Sequence, residues 1–366
     1  MHLFTKEQPD FDWSNPEVHE EFLKTLKFWS DRGVDGFRID VAHALVKNLD
    51  PLPTRSSYSL DVMKGDGTDS LFDRDEVHEI YKEWRKLFNQ YDPPRVAVAE
   101  AWVHPHRRPA YATTEGLGQA FNFDLLTSKW EAKSFQKVID DNLAVAAQTG
   151  SSTTWVMSNH DVIRHATRLV IPSGDDGVTF DAENHWYVNH RLDGDLDLEK
   201  GLARAKAATL LMLALPGSSY LYQGEELGLP EHTTLEPQYR QDPTFARTNG
   251  QRVGRDGCRV PLPWESGVGA ANGFNTTGKS WLPQPEIYAA YSRDQQDGVA
   301  GSTLELYKHA LKLRAELKLG EGSFEWVAEY IGEKSLGFRN GEILVVHNFG
   351  YEPISLPAGE VIASGL

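Results

Sequence analysis

The stretch Arg95-Val96-Ala97-Val98-Ala99-Glu100 decides the fold, because it is a short apolar run that closes on a carboxylate. Small and β-branched residues without polar alternation are typical of a parallel strand that is buried on both faces. Val34-Asp35-Gly36-Phe37-Arg38-Ile39-Asp40 precedes it as another short strand candidate, and it also ends on a carboxylate. The two stretches therefore predict neighbouring parallel strands whose ends carry acids.

Helical patterns separate these strands and continue after them. Asn15-Pro16 provides an N-cap and a proline at the first helical position, and Gly33 stops that helix. An amphipathic helix with Val77, Ile80, Trp84 and Leu87 lies between the two strands, and an Ala-rich helix covers Gly201–Leu215. Further strands are expected at Ala120–Asp124, Thr153–Ser158 and Ser218–Gln223, with a helix that ends at Gly150 between the first two of these.

The alternation of strands and helices predicts an α/β fold with parallel strands. We expect an incomplete (β/α)8 TIM barrel of about five C-terminal β/α units, since a full barrel needs about eight strands. Ser302-Thr303-Leu304-Glu305 is a capping box that opens the last helix of this region. The predicted barrel region covers residues 1–320.

The pattern changes to short strands after Gly320. Arg339-Asn340-Gly341-Glu342 lies between Leu336–Phe338 and Ile343–Val346, which predicts a β-hairpin. We therefore expect residues 321–366 to form part of a small all-β domain, a C-terminal β-sandwich.

Composition excludes several classes of function. The 366 residues include 53 Asp and Glu against 37 Lys and Arg, a net charge of −16, which argues against a nucleic-acid partner. No apolar run reaches the ~18 residues that a membrane helix needs, so no membrane partner is expected. No signal peptide opens the sequence at Met1, which predicts a cytoplasmic location. Abundant aromatic residues suit a protein that stacks sugars, although aromatic cores are the commoner explanation.

Three acids have equivalent placements: Asp40 and Glu100 end strands, and Asp161 follows the Thr153–Ser158 strand. Strand ends of a barrel converge on the face where chemistry occurs. Arg38 lies two residues before Asp40 and so shares its side of the strand, where it keeps the carboxylate ionised. Glu100 leaves an apolar strand with Trp102 nearby, which raises a carboxyl pKa. One ionised and one protonated carboxyl are the two roles of glycoside hydrolysis.

Each acid also has a structural interpretation. Asp40 is a possible N-cap of a helix that begins at Val41, Glu100 a possible salt-bridge partner, and Asp161 a possible turn former. Three acids at successive strand ends favour the functional interpretation.

Weaker signals do not predict a metal or cofactor. His104-Pro105-His106 has the HxH form of a metal site, but its prolines and arginines favour an exposed loop. Ser173–Gly177 lacks the carboxylate spacing of a calcium loop. Cys258 is the single cysteine and lies among charged residues without a nucleophile's context. We therefore expect no metal ligand set and no cofactor.

The strand-end motifs resemble a known family. Gly36–Asp40, Val98–Glu100 and Ser158–Asp161 resemble regions II, III and IV of the α-amylase family, glycoside hydrolase family 13. Gln8–Trp13 and Arg255–Trp264 are similar to motifs of its α-glucosidase and oligo-1,6-glucosidase branch, although Val260 and Leu262 depart from the second motif. Leu221–Gly228 resembles the last barrel strand.

The resemblance implies a role for each site residue. It implies a retaining α-glucoside hydrolase that forms a covalent glycosyl-enzyme and releases glucose from α-1,4- or α-1,6-linked oligosaccharides or disaccharides. The implied catalytic residues are Asp40 as nucleophile, oriented by Arg38, and Glu100 as general acid/base, with Asp161 stabilising the transition state. The implied substrate-binding residues are His160, which grips the sugar together with Asp161, and Arg255 or Arg259.

The resemblance also implies that the sequence is a fragment. Region I and the first three strands of the family have no counterpart, and residues 1–15 correspond to the tail of an inserted loop domain. We expect the natural protein to be longer at both ends and this chain to be poorly soluble or inactive alone. The strands at Val34–Asp40 and Ser218–Gln223 are then the two free edges of an open sheet.

Other functions remain open on the same residues. A trehalose synthase or another glucosyltransferase or isomerase uses the same glycosyl-enzyme. A non-catalytic, transporter-associated homologue is disfavoured because Asp40, Glu100 and Asp161 are all present. A metal-dependent barrel hydrolase is the last alternative.

Overall fold

The computed structural model describes residues 1–50, 53, 63–171 and 196–365. The chain divides into two compact units, the first with Met1–Asn122 and Asp141–Thr154 and the second with Phe123–Asp140 and Trp155–Leu366. The stretch Ser173–Gly177, which was considered as a calcium loop, lies outside the described residues.

The helices follow the amphipathic stretches of the sequence, and short 3-10 turns connect several of them. In chain order the α-helices are α1 (Pro16–Ser30), α2 (Val77–Phe88), α3 (Arg108–Tyr111), α4 (Ala132–Thr149), α5 (His165–Arg168), α6 (Leu198–Ala214), α7 (Pro243–Arg247) and α8 (Thr303–Glu316).

The strands are short and form three sheets. In chain order they are β1 (Gly36–Ile39), β2 (Val96–Ala99), β3 (Gly118–Ala120), β4 (Thr154–Val156), β5 (Ser218–Tyr220), β6 (Glu325–Trp326), β7 (Ser335–Asn340) and β8 (Ile343–Asn348). The orders are β1-β2-β3, β4-β5 and β6-β7-β8 among the residues that are described.

The first unit contains the parallel sheet that the sequence predicts. Strand β1 pairs in parallel with β2, with Ile39 opposite Ala99, and β2 pairs in parallel with β3. In this sheet β1 is an edge strand, because its recorded partner among the described strands is β2 alone. The register brings the ends of β1 and β2 side by side.

The third strand is displaced from its predicted position. We expected Ala120–Asp124, but β3 covers Gly118–Ala120. Phe121 N–H still donates to the Ala99 carbonyl at 2.9 Å. Asn122 N–H instead donates to the Thr154 hydroxyl at 2.8 Å, so a side chain ends the strand ladder.

An aromatic core supports the sheet of the first unit. Helix α2 presents Val77, Ile80, Trp84 and Leu87 at helical spacing, and all four are buried. Phe37 of β1 stacks on Phe88 with ring centroids 5.5 Å apart. Each such buried side chain contributes roughly 1.5–3 kcal/mol, which fixes β1 against α2.

Helix α6 of the second unit is buried mainly in its C-terminal half. Ala205, Ala208, Leu211 and Met212 of this helix are all buried. A separate cluster of buried residues surrounds Leu227, Leu229 and Val260, and Tyr288 closes it. The long segment that follows β5 supplies all of these buried residues.

The antiparallel sheet β6-β7-β8 confirms the predicted hairpin. Asn340 pairs with Ile343, and Gly341 occupies the first turn position with φ +59°. Glycine adopts this left-handed conformation without strain, as a II′ turn requires. Asn340 itself is buried and donates to the carbonyls of Ala214 and Leu319 at 2.8 and 2.9 Å.

Two predicted helix caps are present. Asn15 accepts a hydrogen bond from Glu17 N–H at 3.0 Å, directly before α1. Ser302 accepts from Glu305 N–H at 3.2 Å, before α8. Glu305 does not return the second bond of a capping box, because its carboxylate accepts from Gly298 N–H and Lys308. In the described part of the chain, every helix is too short or too polar to cross a membrane.

Candidate active site

The ends of β1 and β2 bring two carboxyl groups to one guanidinium. Arg38 Nη1 donates to Asp40 Oδ1 at 2.6 Å, and Arg38 Nη2 lies 3.8 Å from Glu100 Oε2. This follows from the parallel register, because Glu100 comes directly after Ala99, the partner of Ile39. Asp40 is largely exposed, whereas the Glu100 side chain is only 8% exposed.

Glu100 lies in a partly apolar environment that changes its acidity. Burial raises the pKa of Glu100, and the charge of Asp40 acts in the same direction. Hydrogen bonds from Val41 N–H and the Trp102 indole, with the charge of Arg38, oppose this rise without cancelling it. The expected effect of Trp102 is therefore wrong in sign, because its indole N–H donates to the Glu100 carboxylate. The site thus combines an exposed carboxylate that is bound to an arginine with a buried carboxyl whose pKa is raised.

Val41 joins the two acids through strained backbone. It follows Asp40 directly and adopts φ +45°, a left-handed conformation that is unfavourable for a β-branched residue. Its N–H donates to Glu100 Oε2 at 2.8 Å. Val41, and not Asp40, is the N-cap residue of the 3-10 turn Ala42–Ala44, and no side-chain cap is present there. The N-cap interpretation of Asp40 is therefore wrong.

Asp161 of the second unit is held by two arginines. Arg255 Nη1 donates to Asp161 Oδ1 at 2.6 Å, and Arg259 Nη2 donates to the same oxygen at 3.0 Å. His160 Nε2 lies 3.4 Å from Asp161 Oδ2. The turn itself is made by Asn159, whose side chain accepts from Asp161 N–H at 2.8 Å. The structure thus brings together the four residues that the sequence singled out in this unit.

A residue that the sequence analysis missed supports this group. Asp242 accepts from Arg255 Nε at 2.8 Å, and its side chain is only 2% exposed. Burial alone would raise the pKa of Asp242, but hydrogen bonds from Arg255 and Thr244 hold it well below its ordinary value. The carboxylate of buried Asp256 accepts from Asp242 N–H at 3.1 Å. Arg255 is thus fixed between the carboxylates of Asp161 and Asp242.

A second missed group lies in the first unit. Asp73 is fully buried and accepts from Arg107 Nε and the Tyr111 hydroxyl, both at 2.8 Å. Its N–H donates to the carbonyl of His43 at 2.6 Å. Because His43 belongs to the 3-10 turn after Val41, this group ties the chain after β1 to the chain after β2.

The weaker motifs have structural roles. His104 Nε2 and His106 Nε2 lie 3.1 and 2.7 Å from the carbonyls of Met63 and Gly65, respectively. The described residues include no group of three or more His, Cys, Asp or Glu side chains arranged to hold a metal ion. Cys258 is buried, which raises the pKa of its thiol.

Comparison with known proteins decides the family. Residues 1–321 match the family model described as alpha amylase, catalytic domain. The chain belongs to the α-amylase family.

Curated α-amylase relatives carry glucosidase names. The chain is 25% identical to a salivary alpha-glucosidase of Anopheles gambiae over 98% of its own length and 58% of the relative. It is 30% identical to a probable alpha-glucosidase of Rhizobium meliloti (strain 1021), over 89% of this chain and 56% of the relative. The chain thus spans less than two thirds of these relatives' length.

Solved structures have a similar fold. The α-glucosyl transfer enzyme XgtA superposes with a TM-score of 0.76 at 28% identity, over 98% of this chain and 64% of that enzyme. A trehalulose synthase MutB mutant superposes with a TM-score of 0.75 at 25% identity, over 98% of this chain and 66% of that enzyme. The α-amylase family member described here is accordingly an α/β protein with a C-terminal β-sheet.

Proposed function

We propose that the whole protein is a retaining α-glucosidase that releases glucose from α-1,4- or α-1,6-linked oligosaccharides through a covalent glycosyl-enzyme. The observation that carries this proposal is the convergence of Asp40 and Glu100 on the guanidinium of Arg38. A retaining mechanism needs one ionised carboxylate and one protonated carboxyl about 5–5.5 Å apart. The curated relatives named alpha-glucosidase support the same reaction.

In this mechanism Asp40 attacks the anomeric carbon. The hydrogen bond from Arg38 orients one oxygen of the Asp40 carboxylate for this attack. Glu100 donates its proton to the leaving oxygen, a role to which the burial that raises its pKa is suited. Glu100 then removes a proton from water, which hydrolyses the glycosyl-enzyme with overall retention.

The proposal also assigns roles to residues of the second unit. Asp161 stabilises the transition state, and it binds the sugar at the cleaved position together with His160. Arg255 and Arg259 orient Asp161, since both donate to its Oδ1. Charge-assisted hydrogen bonds of this kind fix a carboxylate more firmly than neutral ones.

We propose that residues 1–320 form part of a (β/α)8 barrel, with 1–15 as the tail of an inserted loop domain. The parallel order β1-β2-β3 supports this arrangement, as does the end of the family match at residue 321. Residues 321–366 then form part of a C-terminal β-sandwich domain, which is supported by the antiparallel sheet β6-β7-β8. The substrate is an oligosaccharide or disaccharide.

Glucosyl transfer is the second candidate function. The structural similarity to XgtA favours it, since that protein is titled an α-glucosyl transfer enzyme, and a second similar structure is that of a trehalulose synthase. Transfer and hydrolysis share the glycosyl-enzyme and differ in whether a sugar hydroxyl or water attacks it.

Product analysis of the whole protein tests the proposal. Maltose, isomaltose, sucrose and trehalose are supplied in turn, and proton NMR follows the first anomer that is released. Hydrolysis with retention gives α-glucose as the initial product. Release of β-glucose contradicts a retaining mechanism, and isomers or longer saccharides without free glucose identify a transferase.

A further inference from the structure

The second unit contains a cavity of about 300 Å³ that the proposed chemistry does not use. This volume is at the lower end of the range of about 300–1,000 Å³ for small-molecule sites. The cavity shares no lining residue with the group formed by Asp161, His160, Arg255 and Arg259. Its lining residues are Glu226, Leu227, Leu262, Pro263, Trp264, Arg293, Asp297, Leu304 and Lys308.

The charged residues of this cavity balance. Arg293 and Lys308 both donate to Asp297, and the carboxylate of Glu226 accepts from Gly224 N–H at 2.7 Å. Two cations and two anions leave no net charge, so the cavity suits a neutral ligand. Arginine and lysine supply donors while the carboxylates supply acceptors, a combination that matches a molecule rich in hydroxyl groups.

Trp264 provides an aromatic wall that is partly open to solvent. Trp264 is 46% exposed. Trp264 N–H donates to the Asn272 carbonyl at 2.7 Å, and its carbonyl accepts from Asp294 N–H at 3.1 Å. These two backbone hydrogen bonds hold the main chain of Trp264 in place at the cavity.

The remaining wall is apolar. Leu227 is buried, and Leu262 and Leu304 pack partly buried against the same core cluster. An apolar floor, an aromatic ring and a rim of donors and acceptors together match a pyranose ring, which has apolar C–H faces and polar hydroxyl edges.

We propose that this cavity is a second, non-catalytic binding site for a neutral glucoside, with Trp264 contacting a sugar face and Arg293 and Asp297 binding hydroxyl groups. The site is separate from the group at Asp161. Arg259 and Trp264 lie on one short segment, but Arg259 donates to Asp161 whereas Trp264 lines the cavity. The proposal therefore does not depend on the catalytic roles above.

Fluorine NMR of the whole protein labelled with 5-fluorotryptophan tests this site directly. The probe is a methyl maltoside with a sulfur-linked glycosidic bond, which resists hydrolysis. Trp264→Phe assigns the Trp264 resonance, and Trp29→Phe assigns an equally exposed tryptophan on α1 as the internal control. We expect the Trp264 resonance to shift saturably with the maltoside while the Trp29 resonance stays in place.

Variants of the rim separate a sugar site from an indirect effect. Arg293→Ala and Asp297→Ala should each weaken the affinity reported by Trp264 about tenfold, since each removes charged hydrogen-bonding groups. Three results overturn the proposal: an unmoved Trp264 resonance, a shift that neither variant weakens, or equal affinity for cyclohexylmethanol, which lacks the ring hydroxyls. None of these results bears on turnover, so failure here is distinguishable from failure of the proposed function.

Discussion

The backbone N–H of Val41 donates to Glu100 Oε2 at 2.8 Å, from a residue held at φ +45°. A left-handed conformation costs roughly 1–2 kcal/mol for an L-residue. The strain places an N–H donor from the residue after Asp40 on the carboxyl of Glu100. The proposed nucleophile and the proposed acid are thus linked by one strained peptide unit.

Trp102→Phe should raise the pKa of Glu100 further. The Trp102 indole donates to Glu100 Oε1 and lowers its pKa, in opposition to burial. Phenylalanine keeps an aromatic ring but removes this stabilisation of the charged form. The alkaline limb of kcat/KM against pH should therefore move to higher pH, by about one unit. Trp29→Phe is the matched control, and a shift of the limb to lower pH would contradict the assigned role of the indole.

Asp242→Asn should weaken substrate binding more than it slows turnover. The change removes the charge that holds Arg255 Nε, while Asp161 itself is untouched. We expect KM to rise about tenfold, and the free energy of unfolding at neutral pH to fall by roughly 1–3 kcal/mol. Since the pKa of Asp242 is lowered, this stability difference should shrink as the pH falls. Unchanged KM, beside an Asp294→Asn control, would show that Arg255 needs no support from Asp242.

Glu225→Gln should remove a pH dependence of stability. Glu225 is buried and accepts from Tyr222 N–H at 2.9 Å, and burial raises its pKa from 4.5 to about 8. Below pH 4.5 the group is protonated in both the folded and the unfolded chain. Between pH 4.5 and about pH 8 the folded chain holds one more proton than the unfolded chain. The free energy of unfolding therefore falls by roughly 1.4 kcal/mol per pH unit as the pH rises through this range.

The test is the difference in unfolding free energy between the wild type and Glu225→Gln, measured from pH 4 to pH 9. The wild type should lose stability relative to the variant up to about pH 8 and then remain at a constant difference. Glu286→Gln changes an exposed carboxylate and serves as the control. A difference that does not change with pH would mean that folding leaves the pKa of Glu225 unchanged.

The sequence predicted β1, β2 and their terminal acids because short apolar runs define both strands without long-range information. It misplaced β3, because the Thr154 hydroxyl that captures Asn122 N–H lies 32 residues further along the chain. Asp242 was missed for a similar reason, since it stands in a loop without periodicity and contacts Arg255 only in the folded chain. The left-handed conformation of Val41 runs against the preference of a β-branched residue, so no local pattern indicates it.

Other expectations stay predictions. The domain boundary near Gly320, the barrel's completeness and the separate roles of Asp40, Glu100 and Asp161 depend on the whole protein and its substrate. The convergence of Asp40 and Glu100 on Arg38 is the feature from which those roles are argued.

Trapping of the glycosyl-enzyme tests the central claim most directly. The whole protein is incubated with 5-fluoro-α-glucosyl fluoride, which slows hydrolysis of the covalent intermediate, and the labelled peptide is sequenced by mass spectrometry. We expect one fluoroglucosyl group on the peptide that contains Asp40, and no label on the Asp40→Asn variant. A label on another residue, or turnover of maltose by Asp40→Asn at the wild-type rate, would contradict the account.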